Sequence, residues 1–173
     1  MNIRTASRLD SIQPFYVMEL AKDAMALAQT AACDPARGGE EMVFLNIGEP
    51  DFGAAPLVRE AAERCLREGR TQYTPATGLP ALRERIAHWY GTRWGVEVDP
   101  AHIVITAGAS AALQLACLAL FEPGDEVLMP DPSYPCNRHF VAATGAMARL
   151  LPASAEARFQ LDAAGVRSHW NAH

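Results

Sequence analysis

The sequence predicts an α/β fold: a mostly parallel sheet with flanking helices, preceded by an N-terminal helical arm. Two observations predict it. From residue 43 onward, short runs rich in β-branched residues alternate with longer runs of helical period, as strands joined by helical crossovers do. Glycine and proline stand at most of the junctions between them, where they end one element or open the next.

The elements follow in order. Residues 11–32 read as a helix, with Pro14 in its first turn and Phe15, Met18, Ala21 and Met25 on one stripe. The stretch from Asp34 to Glu41, with Pro35, Gly38 and Gly39, is a loop and a candidate boundary. It separates an arm, residues 1–41, from a domain, residues 42–173. Val43 to Ile47 is expected as a strand, closed by Gly48-Glu49-Pro50-Asp51. Pro56 opens a helix to about Glu68, with Val58, Ala61, Ala62, Cys65 and Leu66 on one face and Gly69 as its stop. Pro80 opens another, with Leu82, Ile86, Trp89, Tyr90 and Trp94 on one side and Gly95 as the stop. His102 to Thr106 is a β-branched strand. Gly108 starts a helix to Phe121 that is apolar nearly all round and is expected to be buried. Pro123-Gly124-Asp125 turns into a strand from Glu126 to Met129. A helix near Asn137 to Ala143, a strand near Ala146 to Leu151 and a helix from Asp162 to about Trp170 follow.

Half of the 173 residues are hydrophobic, enough for a sizeable core. Fifteen basic residues face twenty acidic ones, and they are spread along the chain. Nucleic-acid binding, which needs clustered positive charge, is not expected. No apolar run is long enough to span a membrane; the longest, Ala107 to Phe121, is broken by Ser110 and Gln114. Four cysteines, Cys33, Cys65, Cys117 and Cys136, show neither metal nor redox spacing. No metal site is expected. Cys117 sits in an apolar run and reads as a small core residue. A soluble, cytoplasmic protein is the expectation.

The best candidate site is Thr106-Ala107-Gly108-Ala109-Ser110. A strand ends, glycine permits close backbone approach, and a helix begins. The first turn of a helix leaves N–H groups unpaired, and its dipole favours an anion. Ser110 adds a hydroxyl donor. Phosphate suits this place, although an ordinary turn with Ser110 as a cap would read the same. Gly48-Glu49-Pro50-Asp51-Phe52 could bring a ligand carboxylate to a backbone N–H, or be a plain turn. Tyr73 lies in the loop Tyr73-Thr74-Pro75-Ala76-Thr77-Gly78, and Tyr134 in Asp131-Pro132-Ser133-Tyr134-Pro135 at a strand end. That end of a strand suits ligand binding in open α/β sheets, and a tyrosine can lie flat on a planar ligand. Each tyrosine could equally be a half-buried loop residue.

Taken in order, these segments resemble one family. Ile47 to Phe52, Tyr73 to Arg83, Thr106 to Ser110, Pro123 to Val127 and Pro130 to Tyr134 look like the class I/II aminotransferases. The resemblance implies the type I fold of pyridoxal-phosphate enzymes, with residues 42–173 as an incomplete N-terminal half of the large, cofactor-binding domain. It implies pyridoxal 5'-phosphate as cofactor, an amino acid and a 2-oxo acid as substrates, and a homodimer when full length. It gives Gly48 a backbone N–H for the substrate carboxylate. Gly108, Ala109 and Ser110 would hold the cofactor phosphate, and Tyr134 would stack on the pyridine ring. Tyr73 would cross the dimer interface to the neighbouring subunit's phosphate. Family members also carry an Asn-Pro-x-Gly turn, an aspartate facing the pyridine nitrogen, a Schiff-base lysine and a later arginine for the substrate carboxylate. None of these has a counterpart in this sequence, so no catalytic residue is assigned. Its single lysine, Lys22, lies ahead of the cofactor motifs. The chain is therefore expected to be a fragment that is inactive alone and exposes a large apolar patch. A carbon–sulfur lyase of the same fold, or an aminotransferase-like sensing domain, are the alternatives. Arg138 is left out of the site as a solvated or structural residue.

Overall fold

The computed structural model describes residues 3–171. It contains six α-helices and two strands among them: α1 Tyr16–Ala28, α2 Pro56–Arg67, α3 Pro80–Trp94, α4 Gly108–Leu120, β1 Glu126–Asp131, α5 Cys136–Thr144, β2 Met147–Pro152 and α6 Ala163–His169. The chain divides into two compact units, one of residues 1–48 with 112–173 and one of residues 49–111.

The first unit is built on β1-α5-β2. The strands pair in parallel from Glu126 opposite Met147 to Asp131 opposite Pro152, and α5 is the crossover that parallel pairing requires. Gly145 ends α5 at φ 90°, and its N–H donates to the Ala142 carbonyl. A Cβ there would fall 3.2 Å from Pro123 Cγ, so glycine answers both conformation and space. The core is small: Cys117, Val141 and Ala146 are buried, with Phe121, Val127, Met129, Phe140 and Ala148 packed around them. Burial pushes the Cys117 thiol above its ordinary pKa, as desolvation of a thiolate must. Asp162 caps α6 by accepting the Gly165 N–H.

The second unit holds α2 and α3, each opened by a proline, and a 3₁₀ turn at Pro100–His102. Asp99 caps that turn, its carboxylate accepting the Ala101 N–H at 2.8 Å. Gly95 ends α3 in the left-handed conformation, φ 67°. Three rings of α3 pack edge to face, Trp89 against Trp94 at 4.2 Å and Tyr90 against Trp94 at 5.1 Å.

Several expectations need correction. Residues 43–47 and 102–106 are not strands: His102 closes a 3₁₀ turn, and none of them has a ladder partner among the described residues. A β-branched run provides the side-chain pattern, but a strand also needs a neighbour's N–H and C=O groups. The first helix is shorter than 11–32. A 3₁₀ turn at Ser7–Ser11 precedes it, and α1 begins only after Pro14, which disfavours helix at Gln13. Helix α4 is not buried. Only Cys117 on it is, while Leu113, Leu115, Leu118 and Leu120 stay exposed.

Candidate functional site

The phosphate candidate sits at the start of α4. Helix α4 begins at Gly108, as expected, but no strand leads into it. Gly108 takes φ 81°, a left-handed conformation that a side chain would strain. Its N–H donates to the Thr106 carbonyl at 2.9 Å, and the Thr106 hydroxyl donates to the Gly108 carbonyl at 2.9 Å. This pair of bonds fixes how the helix starts. The next two N–H groups, of Ala109 and Ser110, have no acceptor among the described residues, and the Ser110 side chain is exposed. No acidic residue occupies the first turn of this 13-residue helix. Space is open around Gly108, with no atom within 4 Å of where a Cβ would stand. Open N–H donors, a hydroxyl and a helix dipole with no competing carboxylate fit a phosphate dianion.

Tyr134 follows β1, beyond a cis Asp131–Pro132 peptide bond. Its ring is half exposed, with one edge against Phe15 at 6.1 Å and 67°. A hydrogen bond and charge repulsion involving the Cys136 thiol hold its hydroxyl above the ordinary phenol pKa. Close by in sequence, Arg138 pairs with Asp131 at 3.4 Å, while Arg138 Nε and Ser133 Oγ are buried without a partner.

Gly48 lies in the exposed segment after residues 43–47, with no atom within 4 Å of its Cβ position. Its N–H has no acceptor among the described residues. Tyr73 is fully exposed at 106%. Lys22 is a surface residue of α1, ion-paired to Glu19 at 2.8 Å. Gly48, Tyr134 and Lys22 belong to the first unit; Tyr73 and the Gly108–Ser110 turn belong to the second.

Within the second unit, Arg83 on α3 makes contacts that its sequence position does not announce. Its Nε and Nη2 donate to the Pro100 carbonyl at 2.9 and 2.6 Å, and its Nη1 donates to the Thr77 hydroxyl at 3.0 Å. The Thr77 carbonyl in turn accepts the Ile105 N–H at 3.1 Å. Among the described residues no cluster of metal-ligating side chains occurs, and no helix is long and apolar enough to cross a membrane.

Residues 40–172 match the model of a family described as aminotransferase class I and II. A valine–pyruvate aminotransferase of Mycobacterium tuberculosis is 38% identical over 160 residues, 92% of this chain and 39% of that protein. A (5-formylfuran-3-yl)methyl phosphate transaminase of Methanocaldococcus jannaschii is 36% identical over 82% of this chain and 36% of its own length. Among solved structures, an aminotransferase from Mycobacterium tuberculosis superposes with a TM-score of 0.85 at 36% identity, over 96% of this chain and 41% of that one. The aspartate aminotransferase of Thermus thermophilus with maleate does so with a TM-score of 0.83 at 30% identity, over 98% and 42%. The chain thus spans about two fifths of the length of the relatives it matches.

Proposed function

Because this chain belongs to the class I and II aminotransferase family, we propose that it supplies the phosphate-binding part of a pyridoxal-phosphate-dependent enzyme that moves an amino group from an amino acid to a 2-oxo acid. It shares the type I fold of its solved relatives. When bound, the cofactor supplies a reactive aldehyde carbon and an electron-withdrawing ring. The chain's own residues bind and orient. Gly108, Ala109 and Ser110 hold the phosphate, Tyr134 covers the ring face, and the Gly48 N–H takes the substrate carboxylate. Tyr73, whose side chain is fully exposed, reaches the phosphate of the neighbouring subunit in a homodimer. Residues 1–41 form the arm and residues 42–173 the N-terminal half of the cofactor domain.

The observation that carries this reading is the pair of open N–H groups at Ala109 and Ser110. Lys22, the one lysine, is a solvated surface residue paired to Glu19. Covalent attachment of the cofactor needs an amine at its aldehyde carbon. The 173 residues alone therefore bind without catalysing transfer. All four cysteines are free thiols, which suits a reducing, cytoplasmic setting. The lyase and sensing-domain alternatives are not favoured, since the relatives are named as aminotransferases or transaminases.

The test is calorimetric titration of the chain with pyridoxal phosphate and with pyridoxal, which has the same ring and aldehyde but no phosphate. The phosphate ester should bind at least about tenfold tighter, a difference near 1.4 kcal/mol. Ser110→Asp should abolish the preference by placing a carboxylate among the donors. Equal affinity for the two ligands in the unaltered chain would refute the reading.

A further inference from the structure

We infer that Arg83 is a positioning residue that holds the Tyr73-bearing loop and the segment leading to Gly108–Ser110 as one body. The inference rests on the phosphate-binding reading above and concerns residues of the second unit only.

The geometry is a double cross-link. One link is the guanidinium: two of its N–H groups converge on the Pro100 carbonyl and a third reaches the Thr77 hydroxyl. The other is the Ile105 N–H donating to the Thr77 carbonyl, beside the buried Gly78 that faces the Ile105 side chain. Gly78 closes its own turn by donating to the Pro75 carbonyl at 2.8 Å. The segment from Pro100 to Gly108 is thus pinned at two points five residues apart. One pin would fix its position; two also fix its direction. Gly108 lies three residues past the second pin, within about 11 Å of it along even a fully extended chain. Tyr73 lies four residues before Thr77, within about 14 Å by the same measure. The clamp therefore sits between the residue proposed for the neighbouring subunit's phosphate and the turn proposed for the chain's own.

Arginine suits this place and lysine does not. A planar guanidinium presents several donors at fixed angles, so it can serve a carbonyl and a hydroxyl from two segments at once. An ammonium on a flexible stem satisfies one acceptor well. Anion binding by backbone N–H groups depends on their placement, and small displacements of positioned groups carry large costs. The Arg83 guanidinium is directed to the Pro100 carbonyl and the Thr77 hydroxyl, so its effect runs through them and through the Ile105 N–H that Thr77 receives.

The test uses the 173-residue chain and the preference for pyridoxal phosphate over pyridoxal, with folding followed by circular dichroism. Arg83→Ala should lose most of that preference, about tenfold, while pyridoxal affinity stays unchanged. Arg83→Lys should recover part of it, and Thr77→Val should lose about threefold. A merely structural role would lower both affinities together or neither. Retention of the full preference by folded Arg83→Ala overturns the inference and leaves the phosphate reading standing. If Arg83→Ala does not fold, Thr77→Val decides: an unchanged preference there overturns the inference. No preference in the unaltered chain overturns the phosphate reading and this inference with it.

Discussion

Gly78 is the one buried residue among the described residues of the second unit, and replacing it with alanine probes how that unit is held. The cost has two sources. Gly78 takes φ 97°, and a Cβ in a left-handed conformation costs about 1–2 kcal/mol. The added carbon would also fall 2.6 Å from Ile105 Cβ and closer still to its Cγ1. Rotation about χ1 could move the Cγ1 but not the Cβ, so the backbone must shift, and overpacking of this kind costs about 1–3 kcal/mol. Together Gly78→Ala should destabilise by about 2–5 kcal/mol, a large share of the 5–15 kcal/mol that holds a typical domain. The assay is urea unfolding followed by tryptophan fluorescence at fixed protein concentration. Trp89 and Trp94 belong to the second unit, and Trp170→Phe removes the third tryptophan, an exposed one. Gly53→Ala is the control: no atom stands within 4 Å of its Cβ position and its φ is not positive. It should stay within about 0.5 kcal/mol of the parent. A loss below about 1 kcal/mol for Gly78→Ala, or equal losses for both variants, would refute the account of this contact.

Four further outcomes follow. Leu113, Leu115, Leu118 and Leu120 of α4 are exposed, so the chain should self-associate in sizing chromatography at micromolar concentration, and Leu118→Glu should shift it toward monomer; a monomeric parent would contradict this. Cys117 should react with a thiol reagent at least about tenfold more slowly than Cys33, Cys65 and Cys136 at pH 8, because burial raises its pKa and leaves little thiolate. A raised folded pKa also sets a sign: that contribution to stability is present below the ordinary thiol value and fades as pH rises through the folded one, so Cys117→Ala should flatten the alkaline end of the stability profile. Lys22→Ala should leave pyridoxal phosphate affinity unchanged within twofold, since Lys22 pairs with Glu19 at the surface; a larger loss would place the cofactor at α1.

Local signals carried the elements that were legible in sequence. Helices α2 and α3 begin at the expected prolines, and α3 ends at the expected glycine, because proline and glycine act on their own backbone. The expected bounds of β1, α5 and β2 all lie within two residues of the observed ones, since the side-chain period along one segment reports what that segment does. The turn at Gly108 was visible for the same reason. Segments 43–47 and 102–106 were misread because periodicity describes side chains and says nothing of a hydrogen-bonding neighbour. Burial of α4 was misread likewise: an all-round apolar helix states a need for cover, and the cover must come from elsewhere. Arg83 closes the Tyr73–Arg83 motif, but its role in that position is not local. Its acceptors lie 6 and 17 residues away, and nothing in spacing or residue type marks that clamp.

The central claim is that the start of α4 is the cofactor-phosphate site, and co-crystallisation of the chain with pyridoxal phosphate tests it most directly. The account predicts phosphate oxygens at hydrogen-bonding distance, about 2.7–3.2 Å, from the Ala109 and Ser110 nitrogens, with no covalent density joining the ligand to Lys22. A phosphate bound anywhere else, or an adduct on Lys22 at full occupancy, would contradict it.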